Sequence, residues 1–155
     1  MLATSFKDVA QGDVVTWRHE ITVDEVNAFA QLSGDLNPLH LDDDFGRRRG
    51  FRGRVVHGAL LNALISRILG TRLPGPGCLW LSQNVRFRHP VYIDDVIEIT
   101  IRVVHKSEIL RTLALETTIT NDRGETVLTG EAKVRVLPDA PSAPMASATA
   151  ELSQA

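Results

Sequence analysis

His57-Gly58-Ala59-Leu60-Leu61-Asn62-Ala63-Leu64-Ile65-Ser66-Arg67-Ile68-Leu69-Gly70 is the run that decides the fold. As a helix it is apolar around most of its circumference, and a helix of that kind is buried on most sides. Gly70 and Pro74 close it. Beyond it the hydrophobic period drops to two, which predicts strands over 78–87, 96–104, 110–120 and 126–136. Ile97, Ile99, Ile101 and Val103 alternate with Glu98, Thr100 and Arg102, as in a half-buried antiparallel strand. Asn121-Asp122-Arg123-Gly124 is a tight turn between the last two strands. No strand–helix–strand rhythm is present, so the sheet is not parallel. The expectation is an α+β fold in which one long antiparallel sheet wraps against a buried helix.

Upstream, Val14 to Ile21 reads as a strand entered through the Gly12-Asp13 turn. Thr22-x-x-Glu25 is a capping box that starts a helix, and Val23, Val26, Phe29 and Ala30 give that helix one apolar face. Ser33-Gly34 ends it, with Gly34 suited to the left-handed position after the last turn. Asp42-Asp43-Asp44 opens a short helix running to about Arg49, acids at the N-terminal end and arginines toward the other, as the helix dipole favours. Gly50 to Val56 is an irregular connection. From Asp139 the chain is Ala, Pro, Ser and Thr without periodicity, so residues 1–138 are read as a single domain and 139–155 as a disordered tail.

The 155 residues suffice for one domain with a full core. A 43% apolar share and a net charge of -2 from mixed signs point away from nucleic acid and membrane surfaces. Arg47-Arg48-Arg49, with Arg52 and Arg54, reads as a solvated helix face and loop; a diphosphate-bearing ligand would make it an anion site. Cys78 is the only cysteine, the N-terminal residues show no basic-then-apolar signal, and no apolar run nears membrane-spanning length. The expected compartment is the cytoplasm.

Chemistry concentrates in Ser33-Gly34-Asp35-Leu36-Asn37-Pro38-Leu39-His40. Pro38 lacks a donor and pushes Asn37 toward extended geometry. On a regular helix Asp35 and His40 would point about 140° apart. The Asn-Pro break instead lets both aim at one point. There a carboxylate and an imidazole can hold one water and exchange protons with it near neutral pH. The Gly58 N–H opens the buried helix, where donors are unpaired and the dipole is positive, and it suits a developing oxyanion. Asn62 and Ser66 share the face of Gly58, and Leu69 can floor an apolar pocket.

Simpler readings exist for each residue. Asp35 can cap the turn at Asn37-Pro38, His40 can be a hydrogen-bonded core histidine, and Asn37 can be a turn residue. Ser66 can bond a carbonyl one turn back. His57 is read as ordering the start of the helix rather than acting in chemistry. Consecutive aspartates at 42–44 point in different directions, and one cysteine with scattered histidines lacks zinc-ligand spacing, so no metal site is expected. Trp17 and Trp80 are read as packing residues.

Taken together, Ser33-Gly34-Asp35-x-Asn37-Pro38-x-His40, Val56-His57-Gly58 and a helix bearing Ser66 resemble the MaoC-like (R)-specific enoyl-CoA hydratases of the hotdog superfamily. Phe87-Arg88-His89-Pro90-Val91-Tyr92-Ile93-Asp94-Asp95 is similar to that family's Phe-x-x-Pro-Val segment, with Asp94 standing where glycine is usual. The resemblance spans roughly residues 8–137. It implies a sheet wrapped around a central helix, a homodimer, and reversible hydration of trans-2-enoyl-CoA to (R)-3-hydroxyacyl-CoA. It also implies Asp35 and His40 as the catalytic pair, Asn37 and Ser66 in support, and the Gly58 N–H on the thioester carbonyl. The coenzyme A thioester is substrate, and no cofactor or metal is implied. A hotdog thioesterase and a non-catalytic acyl-thioester-binding module are the competing readings.

Overall fold

The computed structural model describes residues 6–138, so the reading of 139–155 as a tail lies outside the described residues. A 3-10 turn at Phe6–Asp8 leads into β1 (Val14–Glu20), then α1 (Val23–Ser33), α2 (Pro38–Leu41), α3 (Asp43–Arg48) and α4 (Gly58–Thr71). Strands β2 (Cys78–Phe87), β3 (Val96–Ser107), β4 (Thr112–Asn121) and β5 (Thr126–Val136) follow. They form one five-stranded sheet in the order β1-β3-β4-β5-β2, and every pairing is antiparallel. This is the hotdog arrangement.

Alternation makes one face of the sheet apolar. Ile97, Ile99, Ile101 and Val103 of β3, Leu113, Leu115 and Ile119 of β4, and Leu128 and Val134 of β5 are all buried. Leu60, Leu61, Leu64, Ile65, Ile68 and Leu69 of α4 belong to the same core. Burying a large aliphatic side chain of this kind contributes about 1.5–3 kcal/mol, so α4 and the sheet hold each other in place. The helix is less enclosed than its sequence predicts: Ala59, Ala63, Ser66, Arg67 and Gly70 stay exposed. Alanine and glycine raise the apolar count of that side while supplying little bulk to bury.

Two further details depart from the sequence reading. β3 runs to Ser107 and β4 begins at Thr112, because a bulge at Val103/His105 shifts the hairpin register and Arg111 turns the tip at φ 51°. A helical turn, α2, was not anticipated. Asn37 is its N-cap, its side-chain oxygen accepting from the Leu39 N–H at 3.0 Å, and Pro38 takes the first position, where a missing donor costs nothing.

The segment before α4 is anchored by residues far along the chain. Val56 N–H donates to the Val91 carbonyl at 2.8 Å, and Val55 bridges to Tyr92. Buried Asp95 fixes this neighbourhood by accepting from the Tyr92 N–H at 2.9 Å and from the Arg52 guanidinium, which also lies over the Tyr92 ring. Asp94 adopts φ 65°, the left-handed region that aspartate tolerates better than most residues, which accounts for its standing in a glycine position. Arg47 pairs with Asp44 and Arg54 with Asp43, so much of the arginine-rich stretch is neutralised locally.

Candidate active site

The loop between α1 and α2 is built by short-range bonds. Gly34 at φ 73° donates its N–H to the Ala30 carbonyl and ends α1. Ser33 Oγ donates to the Phe29 carbonyl at 2.7 Å and accepts from the Asp35 N–H at 3.2 Å. Asp35 Oδ1 accepts from the Asn37 N–H at 3.3 Å, so the turn-capping reading of Asp35 holds for one of its oxygens. The other, Oδ2, lies 3.9 Å from His40 Nε2.

His40 is oriented by its opposite nitrogen. Nδ1 lies 2.6 Å from the Val55 carbonyl oxygen, which can only accept, so Nδ1 carries the hydrogen and Nε2 presents a lone pair toward Asp35. The Val55 N–H in turn donates to the Leu39 carbonyl at 3.0 Å. A separation of 3.9 Å is too long for a direct hydrogen bond and lies about 0.6 Å inside the span of one bridging water, a difference a small side-chain shift covers. Two bonds of about 2.8 Å meeting near the tetrahedral angle span about 4.5 Å. A water donating to both acceptors would turn its oxygen lone pairs away from the pair, free to attack.

The Asp35 side chain is 53% exposed and that of His40 13%. Asp35 is open to solvent because the loop projects from the end of α1 with Leu36 exposed beside it. Gly58 is the first residue of α4, and among the described residues its N–H has no backbone acceptor outside the helix. A Cβ at Gly58 would lie 2.7 Å from Phe87 Cζ, so an aromatic ring already presses on this backbone. Ser66 lies on the exposed side of α4, Asn62 is half-buried with its side-chain oxygen unpartnered, and Leu69 is fully buried in the core.

His57 is the residue whose place in the site sequence reasoning missed. It is 1% exposed, and its Nε2 lies 3.0 Å from the Asp35 carbonyl oxygen. Its ring stacks on His40 with centroids 3.8 Å apart and planes at 28°. Asp35, His40 and His57 bring ligand-type atoms within 4.8 Å of one another. The nitrogen lone pairs by which imidazole binds a metal lie in the ring plane, however, and two nearly parallel stacked planes do not aim them at one nearby point. The only advance signal for His57 was its position directly before a glycine that opens an apolar helix.

The site therefore places a carboxylate and an imidazole beside the N-terminus of the one helix packed on the sheet. The chain belongs to the MaoC like domain family, which it matches over residues 7–124. It is 40% identical over 131 residues to the 3-hydroxybutyryl-CoA dehydratase of Methylorubrum extorquens, covering 84% of this chain and 83% of that protein. It is 41% identical over 112 residues to the (R)-specific enoyl-CoA hydratase of Aeromonas caviae, covering 72% and 84%. The solved structure of the (R)-hydratase from A. caviae superposes with a TM-score of 0.80 at 36% identity, covering 83% of this chain and 98% of that one.

Proposed function

We propose that this chain is a hydro-lyase that reversibly hydrates trans-2-enoyl-CoA to (R)-3-hydroxyacyl-CoA. The observation that carries the reading is the 3.9 Å gap between Asp35 Oδ2 and His40 Nε2, with His40 Nδ1 committed to Val55. The pair holds one water. As its oxygen bonds to C3, one member of the pair takes a water proton, electron density moves through C2 to the thioester oxygen, and the pair returns one proton to C2 on the same face. The Gly58 N–H stabilises the negative oxygen; a donor of this kind contributes on the order of 3 kcal/mol. Asn37 supports the pair by capping α2 and Ser66 is open to the same side as a further support, whereas Leu69 is enclosed in the core and does not floor a pocket as its spacing suggested. These groups carry the protons and the charge of the step as written.

A second copy of the chain completes the site. β2 is an edge strand with Leu79, Leu81 and Phe87 exposed, and Leu36 is exposed beside Asp35; a homodimer would cover such surfaces. No helix among the described residues is long and apolar enough to cross a membrane. The lone cysteine supports a cytoplasmic setting.

The test is crotonyl-CoA followed by two readouts, the conjugated enoyl absorbance and free thiol. Hydration removes the absorbance without releasing thiol. Thiol release with the conjugated band intact would identify a thioesterase, and neither change would leave an acyl-thioester-binding module.

A further inference from the structure

Resting on the hydratase reading, we infer that His57 is a positioning residue for the Asp35/His40 pair, holding the Asp35 loop through its backbone carbonyl and the His40 ring through a stacked face. Four elements meet on this one imidazole. Phe29 of α1 lies against it with centroids 5.1 Å apart, and His40 of α2 stacks on it at 3.8 Å. The loop's Asp35 carbonyl accepts from its Nε2 at 3.0 Å, and its own backbone is the N-cap of α4.

Its side chain makes no capping hydrogen bond to α4, so the ordinary reason for a polar residue at an N-cap does not apply. Nδ1 is enclosed with no partner among the described residues, a cost that an apolar side chain of similar size would avoid. An imidazole kept here at that cost serves something other than packing. The bonds that shape residues 33–37 otherwise run within the loop, back to α1 or forward into α2. Among the described residues, the His57 contact is the hydrogen bond that ties this loop to the helix bearing the Gly58 N–H. Catalytic groups displaced by about 1 Å can lose about a hundredfold in rate, and the half-exposed Asp35 has few other restraints on its distance from His40.

Two substitutions separate the ring from its hydrogen bond. His57→Phe keeps a flat, stackable ring and loses the donor; His57→Gln loses the ring and keeps an N–H near the position of Nε2. With crotonyl-CoA, His57→Phe is expected to lower kcat about 30-fold with KM within about twofold of wild type, and His57→Gln to recover kcat to within about fivefold. Hydrogen exchange of the 33–37 amides gives a readout independent of turnover: about tenfold faster in His57→Phe and near wild type in His57→Gln. Unchanged exchange in His57→Phe, or kcat within twofold of wild type, overturns the assignment. If His57→Phe does not fold, a natively folded His57→Gln that exchanges rapidly at 33–37 overturns it equally, and the wild-type exchange pattern in that variant supports it. A wild type without hydratase activity would sink the parent reading and leave the exchange result to judge His57.

Discussion

The Asp35 carboxylate faces the His40 imidazole across 3.9 Å, although five positions separate them on a chain whose helical periodicity would turn them apart. The turn at Asn37-Pro38 closes that distance. With one nitrogen of His40 fixed on Val55 and one oxygen of Asp35 on the Asn37 N–H, the remaining nitrogen and oxygen are left to share a third molecule.

Asp35→Asn and His40→Ala are each expected to lower kcat by about a hundredfold or more with the fold intact, because each removes a proton acceptor from the bridging position. Ser66→Ala costs less, since Ser66 sits on the exposed side of α4. Circular dichroism checks the fold and steady-state kinetics the rate. Near-normal turnover in either of the first two variants would remove that residue from the mechanism.

Gly58→Ala places a methyl group 2.7 Å from Phe87 Cζ. Phe87 is 53% exposed, so the ring can swing aside. Overpacking of this kind costs about 1–3 kcal/mol. Combining it with Phe87→Ala should restore part of that loss, giving a coupling of about 0.5 kcal/mol or more in a double-mutant cycle from denaturant unfolding. Strict additivity would show that the ring does not set the glycine requirement.

At Asp94, φ 65° strains a side chain that carries a Cβ. Asp94→Gly is expected to leave stability unchanged or raise it by up to about 1 kcal/mol, and Asp94→Val to lower it by about 1–2 kcal/mol. Thermal melting of the two variants orders them; a Val variant as stable as the Gly variant would contradict the left-handed geometry.

Asp42 is the N-cap of α3, and its carboxyl is held below the usual aspartate value by the Phe45 N–H first, then by the Asp44 N–H and the nearby Arg48 and Arg47. Because the folded value lies below the unfolded one, its contribution to stability is present above the unfolded value and is lost as pH falls through the folded one. Asp42→Asn keeps a capping oxygen and loses the charge. Its urea midpoint should fall below wild type at neutral pH, with the gap closing in strong acid. A gap that widens on acidification would reverse the sign assigned here.

Where local chemistry decides structure, the sequence was readable. Thr22 and Glu25 exchange both capping-box bonds, Gly34 takes the left-handed turn, and the period-two alternation of Ile97 to Val103 buries one face of β3. Asp35 and His40 could be paired in advance because Pro38 dictates a break between them. His57 was legible only as an ordering residue, since its stacking on His40 depends on how α2 and α4 meet across 16 intervening positions. The pressure of Phe87 on Gly58 and the exposure of Asp35 are likewise set by tertiary placement. No spacing rule links those residues.

The water-holding role of the pair is tested most directly by hydrating crotonyl-CoA in deuterium oxide and determining by NMR the configuration at C2 relative to C3 of the product. A single molecule held between Asp35 and His40 on one side of the substrate predicts that deuterium and hydroxyl add to the same face. Addition to opposite faces would require proton donor and nucleophile on different sides of the double bond, which two groups 3.9 Å apart cannot supply.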